Sequence, residues 1–256
     1  DSSTSRGLGD VYKRQVPDAD AIVVPTGGAG LLAGVAIVAK AQRPDIKIIA
    51  VEAAAAASFT ASLAAGKPVN APVQPTLADG LAVGRVGDRS FALAAPRVDH
   101  VLTVDEQALS LAVLRLLELE KTSCEGAGAA ALAALMGEAG QELKGRKVVL
   151  LLCGGNIDPT VLHRVIDHGL AVDGRLWRFT ATVSDRPGGM AKLTQVIADA
   201  GASVLEINHD RAFSGPEVFS TTVEVTVETA DHDHIQALRE RLHEADFGVI
   251  SATGCR

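Results

Sequence analysis

The feature that most constrains this chain is a glycine-rich turn between an apolar strand and an apolar helix. The residues VVPTGGAGL occupy positions 23–31. With so few side chains in the turn, backbone N–H groups can converge on an anion, and the positive end of the helix that follows strengthens the attraction. We therefore expect this turn to hold a phosphate group.

The spacing alone leaves two kinds of phosphate open. Positions 28–33 also fit the G-x-G-x-x-A pattern of dinucleotide-binding turns, and Glu52 follows at about the distance where such folds carry a carboxylate for the ribose. A second glycine turn, CGGN at 153–156, follows the apolar run 148–152. Ligands of open α/β sheets bind beyond the carboxyl ends of the strands, so we expect both turns to border one crevice. A dinucleotide fold gives no reason for the second turn.

Composition excludes several classes of protein. The chain has 256 residues, 47% of them hydrophobic, and a net charge of -7 without a basic stripe, which argues against a nucleic-acid partner. No apolar run approaches the roughly 20 residues that a membrane span needs. Three widely separated cysteines, Cys124, Cys153 and Cys255, argue against a disulfide framework and predict a cytoplasmic protein.

Apolar runs and helical patterns alternate between residues 21 and 173, which is the order of an α/β domain. Runs that are apolar on both faces indicate a three-layer architecture, a mostly parallel sheet covered by helices on both sides. Thr103 and Glu106 have the spacing of a capping box at the start of one helix. The predicted strands are 22–24, 46–51, 101–104 and 148–152, and the predicted helices are 31–42, 59–65, 106–119 and 128–136.

After Asp173 and Gly174 the pattern becomes βαββαβ within about 80 residues, typical of a small α+β domain of the ferredoxin-like kind. Strands are predicted at 177–184, 203–213, 217–229 and 249–252, helices at 189–200 and 234–245, and a turn at 214–216. We divide the chain into a polar, basic leader at 1–15, either non-native or disordered, a first domain at 16–173 and a second at 176–256, with a hinge near 170–176.

Five ordered segments of the first domain resemble threonine dehydratase (threonine ammonia-lyase), of the pyridoxal-phosphate fold type II family that includes serine racemase. The segments are PTGGAGLLAG, AVEAAAAASFTASL, TLADGLAVGRVG, ELEKTSCEGAGAAALAAL and VVLLLCGGNIDPTVL. The second domain, with FTATVSDRPGGMAKLTQVIADAGASV and NHDRAFS, resembles an ACT domain, a small-ligand regulatory module. The resemblance implies conversion of L-threonine to 2-oxobutanoate and ammonia, with serine to pyruvate as a side activity. Serine racemase or serine dehydratase stays open as an alternative.

The resemblance also implies which residues bind the cofactor, pyridoxal 5'-phosphate. The first turn matches the phosphate loop, with Ala29 where the family usually has a third consecutive glycine, a departure that a cradle of backbone N–H groups tolerates if Ala29 keeps a negative φ. Cys153 matches the position that faces the pyridine nitrogen, and Gly80 a loop glycine at the reacting end of the cofactor. The implied cofactor-binding residues are Gly27, Gly28, Ala29, Gly30, Leu31, Gly80, Glu125, Cys153 and Gly154.

No lysine of the chain lies in the Ser-x-Lys-x-Arg-Gly setting that carries the cofactor as a Schiff base in that family. We therefore expect an N-terminally truncated, inactive fragment without catalytic residues of its own, from an enzyme of isoleucine biosynthesis or threonine degradation. Glu52 falls where relatives carry a carboxylate of a divalent-cation site, but Ser58 stands where a second carboxylate would be. One carboxylate is a poor site for a hard cation, so a metal is doubtful.

In the second domain the ACT resemblance implies an amino-acid effector, often held at a contact between two ACT units, and hence a homo-oligomer. The implied effector residues are Asp185, Gly188, Gly189 and Met190 of a strand-to-helix turn and Asn208 on the strand taken to be its neighbour. The sequence DHDH at 231–234 is interpreted as a helix cap rather than a metal site. Alternatives from other classes are a nicotinamide-binding oxidoreductase and an ACT amino-acid sensor without catalysis.

Overall fold

The computed structural model describes residues 16–209 and 220–253. The chain divides into two compact units, with the boundary between Val165 and Ile166. The predicted leader at 1–15, the turn at 214–216 and Cys255 lie outside the described residues. Within the described part of the chain, no helix has both the length and the apolar character needed to cross a bilayer.

The first unit contains a parallel sheet of four strands in the order β3-β2-β1-β4. The central strand β1 is buried along its whole length. Because β1 and β2 are apolar on both faces, they suit a sheet covered on both sides. The strands are β1 (Ala21–Pro25), β2 (Lys47–Ala53), β3 (His100–Val104) and β4 (Val148–Leu150).

Two separate cores cover the two faces of this sheet. Alternate residues of β1 point to opposite sides, so that Ala21 and Val23 belong to one core and Ile22 and Val24 to the other. The helices of the unit are α1 (Gly30–Gln42), α2 (Ser58–Ala65), α3 (Asp88–Ala94), α4 (Glu106–Leu119), α5 (Gly126–Met136) and α6 (Glu138–Glu142), and α7 (Pro159–Val172) crosses the boundary. The predicted three-layer α/β architecture is confirmed.

The predicted capping box at α4 is wrong. Asp105 is the N-cap residue, and its side chain accepts a hydrogen bond from the N–H of Ala108 at 2.8 Å. Thr103 is still within β3, and Glu106 turns away from the helix to accept the N–H of Leu77 at 2.7 Å. The pattern assigned the Glu106 carboxylate to the start of α4. In the structure it instead holds the segment before Gly80.

The second unit is an antiparallel sheet of four strands in the order β6-β7-β5-β8. One face carries the core, which lies under two helices. In this core the rings of Trp177 and Phe179 stack with their centroids 4.5 Å apart. The elements are β5 (Leu176–Ser184), α8 (Gly189–Asp199), β6 (Ser203–His209), β7 (Ser220–Glu228), α9 (His232–Glu244) and β8 (Val249–Thr253). The predicted βαββαβ order is confirmed.

Candidate functional site

The first glycine turn links β1 to α1 at the carboxyl edge of the parallel sheet. Thr26 anchors it, because its N–H donates to Val51 O at 2.7 Å and its hydroxyl to Val24 O at 3.0 Å. A Cβ at Gly27 would lie 3.1 Å from Leu81 Cα, so the close approach of two backbone segments favours glycine there. The turn ends at the first turn of α1, whose N–H groups have no partner within the helix.

The condition that Ala29 keeps a negative φ is not met. Ala29 is the N-cap residue of α1 and lies in the left-handed region, with φ 62° and ψ 12°. The chain must reverse direction between β1 and α1 within a few residues, and that residue takes the left-handed turn. An L-residue there costs roughly 1–2 kcal/mol, which explains the preference for glycine at this place. The Ala29 side chain is nevertheless buried, in the core that also contains Ile22 and Val24.

The second glycine turn follows β4 and lies next to the start of α5. The carbonyl of Gly154 accepts the N–H of Glu125 at 3.3 Å and the Sγ of Cys124 at 3.2 Å. A Cβ on Gly128 would lie 2.3 Å from Cys153 O, so α5 approaches this turn too closely for any side chain at that position. These contacts hold the segment that contains Cys153 against the N-terminus of α5.

Both turns border one cavity of about 260 Å³. Of the predicted cofactor residues, all but Gly154 line it, and Gly154 lies directly behind Glu125. The expectation that the two turns share a crevice is therefore confirmed. Sequence reasoning missed four lining residues, Pro25, Leu32, Leu81 and Ala127. Leu32 and Leu81 adjoin predicted residues and could have been found from that adjacency, and the other two lie two positions away.

Cys153, which lines this cavity, and Cys124, which is buried beside it, both have raised pKa values. Burial raises the pKa of Cys153, and the nearby Glu125 carboxylate raises it further. Burial, Glu125 and Cys153 together raise the pKa of Cys124 to about 11. Cys153 therefore presents an S–H group, a weak hydrogen-bond donor, to the cavity rather than a thiolate nucleophile.

The structure gives Glu52 a clear local role. It is fully buried, and its two oxygens accept the N–H groups of Phe59 and Thr60 at 2.7 and 2.8 Å and the Thr60 hydroxyl at 2.6 Å. Burial nevertheless raises the pKa of Glu52 above its ordinary value. In the described part of the chain, no three His, Cys, Asp or Glu side chains cluster as metal ligands would. The Glu52 carboxylate caps α2, and its role as a metal ligand stays an untested possibility.

The second unit repeats the strand-turn-helix arrangement between β5 and α8. Gly188 has φ 97°, a left-handed conformation that favours glycine, and a Cβ on Gly189 would lie 2.1 Å from Ser184 O, which leaves no room for a side chain there. The expectation that Asn208 lies on the strand next to this turn is wrong. Asn208 is on β6, and β7 separates β6 from β5, the strand that leads into the turn. The register pairs Asn208 with Glu224, which in turn pairs with Thr180. Within one chain, Asn208 is therefore remote from the turn.

The interpretation of the DHDH sequence as a helix cap is confirmed. Asp231 is the N-cap residue of α9, and its carboxylate accepts the N–H of His234 at 2.8 Å. The ring of His234 contacts Ala200 O at 2.8 Å through Nε2, and His232 contacts Val172 O at 3.0 Å. Both rings therefore take part in packing interactions of the second unit.

Comparisons with known proteins agree with this geometry. Residues 8–154 match the family model of pyridoxal-phosphate dependent enzymes, and residues 179–247 match that of the ACT domain. The chain is 37% identical to a protein of Thermotoga maritima named L-threonine ammonia-lyase and 41% identical to one of Geobacter sulfurreducens with the same name, over 94% and 92% of its length. It spans only 60% and 58% of those two relatives.

A solved crystal structure of a threonine deaminase, that of T.th., is similar to the chain as well. The two are 38% identical, with a TM-score of 0.56, and the match covers 61% of this chain and 57% of that one. The family match decides between the two kinds of phosphate that the first glycine turn left open. It selects a single-ring cofactor phosphate over a dinucleotide, which agrees with the use of Glu52 as a helix cap.

Proposed function

This chain belongs to the family of pyridoxal-phosphate dependent enzymes, and we propose that it carries most of the cofactor site of a threonine ammonia-lyase. The whole enzyme would convert L-threonine to 2-oxobutanoate and ammonia, with serine to pyruvate as a side activity. The observation that carries the proposal is the convergence of two glycine turns on one cavity, with the Cys153 thiol on the far turn. This arrangement offers an anion cradle at one end and a neutral donor at the other.

The residues present fit pyridoxal phosphate. The cradle between Gly27 and Leu81 is narrow, because a Cβ at residue 27 would lie 3.1 Å from the opposite backbone, which would have to shift to accept it. The cavity, at about 260 Å³, lies just below the roughly 300–1,000 Å³ usual for ligand sites, as suits one ring with a phosphate. N–H groups at the start of α1 would bind the phosphate oxygens.

When bound, pyridoxal phosphate supplies an electron sink for bond breaking at the substrate's α-carbon. The neutral Cys153 thiol is a weak donor and would leave a pyridine nitrogen opposite it unprotonated. A moderate electron sink is sufficient for an elimination in which the β-hydroxyl departs promptly. Glu125 and Gly154 keep the Cys153 turn in place from behind.

A lysine is absent from the described lining of this cavity. Since none of the chain's lysines has the family's Ser-x-Lys-x-Arg-Gly setting, we propose that the chain alone binds the phosphate end of the cofactor without turning over threonine.

We also propose that the enzyme is cytoplasmic, because of its cysteine usage, and that it is a homo-oligomer. An ACT unit supports an amino-acid effector near Asp185 and Met190. A second copy of the chain would supply Asn208, because within one chain β7 separates the strand of Asn208 from the strand that leads into this turn.

The binding test uses pyridoxine 5'-phosphate, which lacks the aldehyde and cannot label surface lysines. Saturable binding that inorganic phosphate displaces supports the cavity assignment, and a Gly27→Val variant, which fills the cradle, serves as the control that should not bind. Absence of binding to the parent chain contradicts the assignment.

The reaction is tested with a chimera that joins residues 16–256 to the part of the Thermotoga maritima relative that the chain does not match. We expect 2-oxobutanoate from L-threonine with the chimera and none with the chain alone. Racemised serine without keto acid would instead identify a serine racemase, and rapid keto-acid formation by the chain alone would contradict the predicted inactivity.

A further inference from the structure

Glu106, which does not cap its own helix, is tied to the cofactor cavity through the chain that it holds. That chain leads into a short 3-10 turn at Asp79–Leu81, here called the cavity turn, and Gly80 and Leu81 of this turn line the cavity. We propose that Glu106 is a positioning residue that fixes the cavity turn and thereby sets the affinity of the cavity for the cofactor. The inference rests on the proposed function, because it concerns the same cavity.

Glu106 holds the chain just before the cavity turn with both carboxylate oxygens. Oε2 accepts the N–H of Leu77 at 2.7 Å, and Oε1 accepts the hydroxyl of Thr76. The same hydroxyl oxygen accepts the N–H of Ala78 at 3.1 Å. Since an ionised carboxylate only accepts hydrogen bonds, Glu106 draws the hydroxyl proton of Thr76 toward itself and leaves a lone pair for Ala78. One side chain therefore fixes three consecutive residues.

The first turn of α5 confines the same segment from another side. A Cβ on Gly126 would lie 2.5 Å from Leu77 O, and a Cβ on Gly80 would lie 3.1 Å from the Cβ of Ala127. The segment is therefore held between the starts of α4 and α5. Because Leu77 and Gly80 are three residues apart and both lie against α5, a displacement of Leu77 would move the cavity turn as well.

The hydrogen bonds within the cavity turn are local, as in the bond from Leu81 N–H to Ala78 O at 2.8 Å. Such bonds fix the shape of the turn but not its place in the molecule. Its place depends on the anchors that flank it. After the turn, the N–H of Gly87 donates to Gly28 O at 3.4 Å, which is long for a hydrogen bond. The charge-assisted bonds of Glu106 are therefore the stronger anchor.

The place of the cavity turn matters because it faces the phosphate cradle closely. A Cβ at residue 27 would lie 3.1 Å from Leu81 Cα and 3.2 Å from Leu81 O. Movement of Leu81 away from Gly27 would widen the cradle and loosen its contacts with a phosphate, and movement toward Gly27 would close it. Glu106 is not part of the described lining of the cavity, so it acts on the ligand only through Thr76 and Leu77.

Binding of pyridoxine 5'-phosphate to the full chain, measured by calorimetry, tests the proposal. Glu106→Ala removes both acceptors and should weaken binding at least about tenfold. Asp105→Ala is the matched control, because it removes the N-cap of the same helix one residue away and leaves Thr76 and Leu77 with their acceptor. It should bind like the parent. Equal losses in the two variants, or no loss with Glu106→Ala, would overturn the proposal.

Two variants of Thr76 separate positioning from a general loss of stability. Thr76→Ser keeps the hydroxyl and should restore the affinity of the parent. Thr76→Val has the same shape but loses the bonds to Glu106 and Ala78, and it should bind more weakly, as Glu106→Ala does. Equal affinities of Thr76→Ser and Thr76→Val would overturn the proposal.

Amide hydrogen exchange tests the role of Glu106 without any ligand. In Glu106→Ala the N–H groups of Gly80 and Leu81 should exchange at least about tenfold faster than in the parent, and in Asp105→Ala at the parent rate. Unchanged exchange at both amides in Glu106→Ala would overturn the proposal. Failure of the parent chain to bind pyridoxine 5'-phosphate would instead contradict the proposed function, and the exchange rates would still decide whether Glu106 positions the cavity turn.

Discussion

The carboxylate of Glu125 occupies the space that a side chain on residue 154 would need. A Cβ on Gly154 would lie 2.2 Å from Glu125 Oε1, and Gly154 also has φ 95°. The left-handed backbone therefore favours glycine directly behind the cofactor cavity, and a side chain there would also have to displace the Glu125 carboxylate. This pair links the start of α5 to the turn that carries Cys153.

We predict that Gly154→Ala lowers the free energy of unfolding by more than the roughly 1–2 kcal/mol of a left-handed L-residue, because the Glu125 side chain must also move. Gly145→Ala is the matched control, since Gly145 has φ 78° and open space around it, and it should show the backbone cost alone. Urea denaturation measures both variants. The double variant Gly154→Ala, Glu125→Ala should recover the excess loss, and equal losses at 154 and 145 would contradict the contact.

We predict that glycine is tolerated better at position 29 than at position 36 of the same segment. Both alanines are buried, but Ala29 has φ 62° and Ala36 lies in the middle of α1. Replacement by glycine removes a buried methyl in each case, while at position 29 it also relieves the left-handed strain. Thermal unfolding of the two variants should differ by about 1 kcal/mol or more in favour of Ala29→Gly. Equal losses would mean that Ala29 is not strained.

The raised pKa of Glu52 predicts a pH dependence of stability. A carboxyl with a raised pKa in the folded state binds more protons there than in the unfolded chain, so stability falls as pH rises from the ordinary value of 4.5 through the raised pKa. The stability of the parent chain relative to Glu52→Gln should therefore fall across that window. Denaturation at several pH values measures the difference, and subtracting the variant cancels the other carboxyls. A difference that grows with pH would show that the hydrogen bonds to Phe59 and Thr60 outweigh burial.

The raised pKa values of the cavity thiols predict slow alkylation at neutral pH. Iodoacetamide reacts with thiolates, so labelling of Cys153 should accelerate as the pH rises toward its pKa and should precede labelling of Cys124, which is 2% exposed. Peptide mapping by mass spectrometry follows each site. Pyridoxine 5'-phosphate should protect Cys153, and protection should disappear in Gly27→Val. Fast labelling of Cys153 at pH 7 would contradict its raised pKa.

Much of the local structure could be predicted because it depends on neighbouring residues. The prediction of the helix Glu106–Leu119 agrees with the structure to the residue, since its apolar period is a local signal. The helix Asp88–Ala94 was missed, because one short segment of seven residues gives too few periods to recognise. The cap at Asp105 was misassigned because Glu106 has a better partner at Leu77, 29 residues away in the chain.

The sequence by itself determined the alternation of strands and helices, the two glycine turns and the family to which they point. Each depends on residue types at short spacing, where backbone preferences and periodicity act. Only the tertiary structure decided that Ala29 takes the left-handed turn, that β7 separates Asn208 from the Gly188 turn, and that Glu125 fills the space beside Gly154. These outcomes depend on contacts between distant segments, since the packing of one strand or helix sets the conformation and the neighbours that another must accept.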